Sequence, residues 1–152
     1  MSLNWAALVH EKLAVIATFA YSQKPLTKVK HRFRGEWKFL DKIIYDIPRQ
    51  TATQALIDFA LYFRTLDEEQ RLTDYWRQSE TPPTCGMLFI KDGNNERLTP
   101  REMGNKIIHA ERIEWDLSGD PKIICIGRDK VAWLRAEIDV DSILFLGAQL
   151  GS

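Results

Sequence analysis

Cysteine is scarce: two in 152 residues, Cys85 and Cys125. Two thiols cannot build a disulfide framework, and with three histidines they form neither a C-x-x-C nor an H-x-x-x-H pair, so a zinc signature is excluded. Each thiol is expected to act as a small apolar core residue. Net charge is lacking too, since 21 Lys and Arg meet 21 Asp and Glu. That balance excludes a globally basic nucleic-acid binder and a strongly acidic mimic, though not a local patch of either sign. Long apolar runs are missing as well. The N-terminal stretch MSLNWAALVHEKLAVIATFAYS is interrupted at His10-Glu11-Lys12 and has no basic segment before it. A membrane span needs about 20 apolar residues and a signal peptide needs an N-terminal positive charge. The expectation is a soluble, cytoplasmic protein with no membrane partner. Gly-rich phosphate loops, nucleophile elbows and Ser-His-Asp orders are also absent, and no cofactor is called for.

What is present is an ordinary globular composition, 45% hydrophobic and 28% charged, of a length that suits one domain over residues 1–152. Residues 3–21 are apolar nearly all round at helical period, which predicts a central helix closed by Pro25. In EWKFLDKIIYDI, Trp37, Leu40, Ile43, Ile44 and Ile47 share a helical face, with Pro48 as its stop. Thr51 or Thr53 is expected to cap a third helix with the stripe Leu56, Phe59, Ala60 and Phe63. Asp67-Glu-Glu-Gln70 has the look of a capping box opening a fourth.

The pattern changes after Thr81-Pro82-Pro83-Thr84. Met87–Ile90 reads as a strand, with Asp92-Gly93 as its turn. Thr99-Pro100-Arg101-Glu102 starts a helix, with a threonine cap, proline first and glutamate third. Arg112–Leu117, Lys122–Ile126 and Val131–Ile138 follow as a meander, and Asp141 or Ser142 caps a last helix. Helices first and strands afterwards predict an α+β fold: N-terminal helices, then a small antiparallel meander bracketed by helices. The diproline loop marks a subdivision into a helical part, 1–80, and a mixed part, 85–152, should the chain divide.

Three groups of residues carry candidate chemistry. Arg101, Asn105 and His109 recur along one helix at four-residue spacing, so they point the same way. A histidine beside an amide and a guanidinium suits general acid–base work on a phosphodiester. The run Gly104–His109 resembles the signature of HEPN domains, a helical family that includes ribonucleases of prokaryotic defence systems, in which an Arg is followed by a polar residue and then a His. Asn105 and His109 match, but Gly104 stands in the Arg position. HEPN domains also lack the strands expected after residue 112, so the family is set aside as an assignment. The structural alternative is a His favoured by the helix dipole at a C-terminus.

The second group is Lys28, Lys30, Arg32 and Arg34, with Trp37 beside them. From Lys24 to Lys38 six basic residues meet one acid, a local +5 that the rest of the chain cancels. In extended form these four cations share one face, suited to a polyanion, with Trp37 or Phe33 available to stack. The alternative is a solvated edge guarded by Lys and Arg. The third group, Glu137, Asp139 and Asp141, has the alternation of a strand face but not EF-hand spacing, and no metal is assigned to it. Trp115 and Trp133 are expected to stack across the meander or to pack on a helix.

The leading expectation is a small non-catalytic interaction domain, of immunity, antitoxin-like, adaptor or mobile-element accessory type, binding an unknown protein partner. The alternative is a nucleic-acid binder or HEPN-like ribonuclease using residues 28–34 and His109. Homo-oligomer formation stays open.

Overall fold

A computed structural model describes residues 3–33, 37–91, 93–128 and 133–151. The fold is α+β. Helix α1 (Trp5–Lys30) runs to a π-helical turn (Lys42–Asp46), α2 (Ile47–Gln70) and α3 (Leu72–Arg77). Strands β1 (Gly86–Phe89) and β2 (Glu96–Arg97) precede α4 (Pro100–Ile108). The chain ends with β3 (Ala110–Asp116), β4 (Lys122–Gly127), β5 (Arg135–Asp139) and α5 (Val140–Ala148).

The expected meander β3-β4-β5 is present, and β1 joins it on the far side of β5, giving the antiparallel order β2-β1-β5-β4-β3. Alternation along β4 and β5 turns Ile123, Cys125, Ala136 and Ile138 toward the helices. They meet Ile16 of α1, Leu56, Phe59 and Phe63 of α2, Met103 and Ile107 of α4 and Ile143 of α5 in one cluster that spans both sides of the diproline loop. Both cysteines are free and buried in this core. Trp115 packs edge-on against Phe19 at 5.1 Å and donates its indole N–H to Thr53 Oγ1 at 3.0 Å, which ties β3 to α1 and α2. Trp133 instead lies under Lys106 of α4.

Several local stop signals are overridden. Pro25 lies inside α1, which continues to Lys30. A proline leaves the carbonyl four residues earlier without a donor; here that residue is Tyr21, half-exposed, where water can serve it. Pro48 does not end a helix either, but sits in the first turn of α2, where an N–H would have no intrahelical role in an isolated helix. The π-turn before it widens the backbone, and the Ile44 carbonyl that Pro48 cannot serve accepts from Gln23 Nε2 at 3.0 Å. Thr51 and Thr53 therefore lie inside α2 rather than at a cap, and Thr53 Oγ1 donates to the Arg49 carbonyl.

Asp67 does not open a helix. It is buried in the last turn of α2 and accepts from the Thr73 backbone N–H at 2.7 Å and from the Thr73 hydroxyl. Arg71, at φ 55°, turns the chain sharply enough to bring Thr73 back to it. At α5 the N-cap position falls to Asp139, not Asp141 or Ser142, because β5 runs directly into the helix. The box at Thr99 forms as expected, with Thr99 Oγ1 accepting from Glu102 N at 3.2 Å and donating to the Glu102 carboxylate at 3.0 Å. Asp92 and residues 129–132 of the expected turns and strand lie outside the described residues.

Candidate functional site

The core ends before α1 does. Its buried face runs Ala6, Val9, Leu13, Ile16, Phe19 and Ala20, and the next buried residue along the chain is Ala52 in α2. No described residue from Tyr21 to Thr51 is buried. At 1.5 Å per residue, α1 continues for about 15 Å past its last core contact. The returning arm, 37–51, packs on it through the Gln23–Ile44 hydrogen bond, a Lys30–Asp41 ion pair at 2.7 Å and a tilted Phe19–Tyr45 contact. The result is a helical hairpin standing out from the globule.

The stripe Trp37, Leu40, Ile43, Ile44 and Ile47 lies on this hairpin. It is a helical stripe that no core covers: Trp37 is 53% exposed, Ile43 64% and Ile47 48%, with Leu40 and Ile44 partly covered. Phe39 is 60% exposed beside them. Phe33 meets Trp37 edge-on at 4.8 Å, and Lys38 Nζ lies 5.5 Å from the Phe39 ring. Six of the ten large apolar side chains that the described residues expose belong to this one segment.

Of the predicted basic residues, Lys28 and Lys30 occupy the last turn of α1, and Arg32 lies in the turn that follows. Arg34 lies outside the described residues. Because the segment is helical to Lys30, Lys28 and Lys30 point about 200° apart, and the single-faced ribbon of an extended strand does not form. The cations sit instead on different sides of the end of α1 and in the turn after it, ahead of Trp37 in the chain. Lys30 pairs with Asp41, while Lys28 and Arg32 have no ion-pair partner among the described residues.

The acids gather elsewhere. Burial lifts the Tyr21 phenol above its ordinary range, and the charges of Asp141 and Asp120 add to the shift, which places those carboxylates at the root of the hairpin. Burial likewise raises Asp139; Lys122 opposes the rise, and Asp141, Glu137 and Asp120 add repulsion. Glu137 pairs with Arg135 of its own strand at 3.5 Å. No ion pair joins this group to Lys28, Lys30 or Arg32 among the described residues, so the basic and acidic patches do not neutralise each other directly. The same residues bring no three metal-ligating side chains together.

The trio on α4 is split. Arg101 and Asn105, one turn apart, line a cleft of about 570 Å³ whose far wall is α3 and the diproline loop. They also line a smaller cavity of about 70 Å³ against α2, with Phe63, Arg64, Asp67 and Glu68. His109 lines neither. It is exposed at the C-cap of α4, where its backbone N–H donates to the Asn105 carbonyl. The exposure of Phe39, Ile43 and Ile47 was not visible in the stripe, although its start at Trp37 inside the most basic stretch was a signal. Trp76, Pro82 and Pro83 gave none, being brought to α4 only by the fold. No helix of the described residues is long and apolar enough to cross a membrane. No protein-family model, curated protein or solved structure matches the chain.

Proposed function

We propose that the chain is a protein-interaction domain whose projecting hairpin, residues 21–51, docks on an acidic, apolar-centred surface of a partner protein. The observation that carries this reading is the exposed apolar group Trp37, Phe39, Ile43 and Ile47, tied to the basic end of α1 by the Phe33–Trp37 contact and the Lys30–Asp41 ion pair. Contiguous exposed apolar side chains rimmed by charge are the anatomy of an interface. Burying each such side chain is worth about 1.5–3 kcal/mol, enough for a few of them to anchor a complex. The basic end of α1 sets the partner's sign and quickens encounter. A two-fold pairing of hairpins would set one basic surface on another, which favours a different, acidic partner over a second copy.

The test is cross-linked capture from the native host, comparing wild type with Phe39→Ser/Ile43→Ser, with Arg32→Glu, and with Phe145→Ser as an exposed control on α5. The expected result is one acidic protein, retained by wild type and by Phe145→Ser, lost with the apolar pair and weakened at high salt and by Arg32→Glu. Recovery of RNA that nuclease releases, or retention on anionic vesicles in place of a protein, refutes this reading.

A further inference from the structure

A second site lies on different elements, in the cleft between α3, the diproline loop and the start of α4. Its apolar wall is Trp76, Pro82, Pro83 and Pro100. Its volume, about 570 Å³, falls in the range of small-molecule sites, roughly 300–1,000 Å³. The polar groups that face it are unevenly engaged. Glu102 is held by the Thr99 hydroxyl, and Arg77 lies 3.9 Å from Asp74, which also pairs with Arg71. Arg101 has no carboxylate within 4.0 Å among the described residues, and the Asn105 side chain has no hydrogen bond among them. A guanidinium fork and a carboxamide, stacked on successive turns of one helix, thus offer donors to the cleft beside an apolar wall.

We propose that this cleft binds a monoanionic organic carboxylate: an apolar body against Trp76 and the prolines, with its carboxylate on Arg101 and Asn105. Arginine presents two parallel N–H groups at carboxylate spacing, and an amide N–H can take a remaining lone pair. The charge of the lining selects a single negative charge. In the cleft itself two guanidinium groups meet one carboxylate, Glu102, while Asp74 beside Arg77, and Asp67 and Glu68 in the adjoining cavity that Arg101 and Asn105 also line, repel a dianion. The carboxylate can be that of a free acid or of a peptide C-terminus, since both present the same group.

Amide NMR titrations of the full chain test this with hydrocinnamate, its neutral amide, phenylphosphonate, and an acetylated Ala-Ala-Phe tripeptide with a free or an amidated C-terminus. Hydrocinnamate is expected to shift the amides of residues 73–77 and 101–105 and to bind at least tenfold more tightly than the neutral amide and than phenylphosphonate. Arg101→Gln is expected to lower its affinity about tenfold while Arg32→Glu leaves it unchanged. Arg101 is exposed, so Arg101→Gln should keep the wild-type melting temperature. If the free-acid tripeptide exceeds hydrocinnamate tenfold and its amidated form does not, the source is a peptide terminus; the reverse order points to a free acid. The proposal is overturned if acid and amide bind alike, if phenylphosphonate binds more tightly, if Arg101→Gln changes nothing, or if no probe moves these amides at millimolar concentration. None of these results depends on the hairpin, so the two sites stand or fall separately.

Discussion

Gly86 is the position where one methyl group should do the most damage. It opens β1 at φ 143°, opposite Ile138 of β5, and its carbonyl accepts from the Leu98 N–H at 2.9 Å. A Cβ built there overlaps the Glu137 carbonyl oxygen and comes within 3.1 Å of Ile138 Cα. Both obstacles are backbone, so no rotamer change relieves them. Gly86→Ala therefore combines backbone strain of about 1–3 kcal/mol with displacement of a packed strand, again about 1–3 kcal/mol. Against a total stability of about 5–15 kcal/mol, a loss near 4 is large. In a chain of this size it corresponds to a fall in Tm on the order of 10 °C. Two other glycines calibrate the measurement. Gly93 has φ 80° but open space around it, so Gly93→Ala should cost strain alone, about 1 kcal/mol. Gly119 has neither a positive φ nor a neighbour within 4 Å, and Gly119→Ala should be neutral or stabilise by about 0.5 kcal/mol through the unfolded chain. Urea unfolding at constant m-value gives the three differences. If Gly86→Ala costs no more than Gly93→Ala, the account of β1 pinned against β5 at this residue is wrong.

Two further predictions concern the core. Burial pushes both thiols up to about 12, Cys85 with an added push from Asp139, so a thiol reagent at pH 8 should label neither cysteine until the protein is unfolded. Because the folded state keeps these protons longer than the unfolded chain, their contribution to stability is intact below the ordinary thiol range and is lost as pH rises from there toward about 12. A stability that held constant across that window would contradict the burial. Asp67→Ala removes the acceptor of the Thr73 N–H and hydroxyl at the α2–α3 turn and should cost about 1–3 kcal/mol in urea unfolding. Thr73→Ala should cost less, since the Thr73 N–H keeps its partner.

What could be read in the sequence was local. The Thr99–Glu102 box, the alternation of Ile113, Trp115 and Ile123, Cys125, and the stripe Leu56, Phe59, Phe63 each depend on residues within two turns or one strand, and each forms. The failures share a different cause. Pro48 reads as a helix stop because its neighbours offer no remedy, yet Gln23, 21 residues before Ile44, provides the missing donor. Asp67-Glu-Glu-Gln70 has the chemistry of an N-terminus and is used at a C-terminus, because the left-handed Arg71 turns Thr73 back onto it. The pairing of β1 with β5 joins residues about fifty apart, and alternation does not encode partners. For the candidate sites the same rule applies. The helical spacing of Arg101 and Asn105 was legible, whereas the wall opposite them, which makes a cleft and excludes His109 from it, belongs to tertiary structure.

The same limit explains why a stripe can be right in period and wrong in purpose. Trp37, Ile43 and Ile47 keep helical spacing, which says only that some surface meets them on one side. Inside this fold that surface is spent: Ala20 is the last core residue of α1, and Ala52 is where α2 enters it. Beyond those points the helical pair is held by its own backbone hydrogen bonds, by the Gln23–Ile44 and Lys30–Asp41 contacts and by Tyr45 against the buried Phe19, with no buried side chain among the described residues from Tyr21 to Thr51. The charge distribution then gives the hairpin a direction. Lys28, Lys30 and Arg32 lie toward its tip, and Asp120 and Asp141 lie beside Tyr21 at its root. The acidic partner proposed above would be drawn to the tip and repelled at the base, and so should approach end-on rather than lie along the globule. Overall neutrality is therefore a sum of two separated charges, and the separation would be functional in itself: Asp120→Asn/Asp141→Asn should widen the footprint of a bound partner toward the root, whereas Arg32→Glu should weaken binding at the tip.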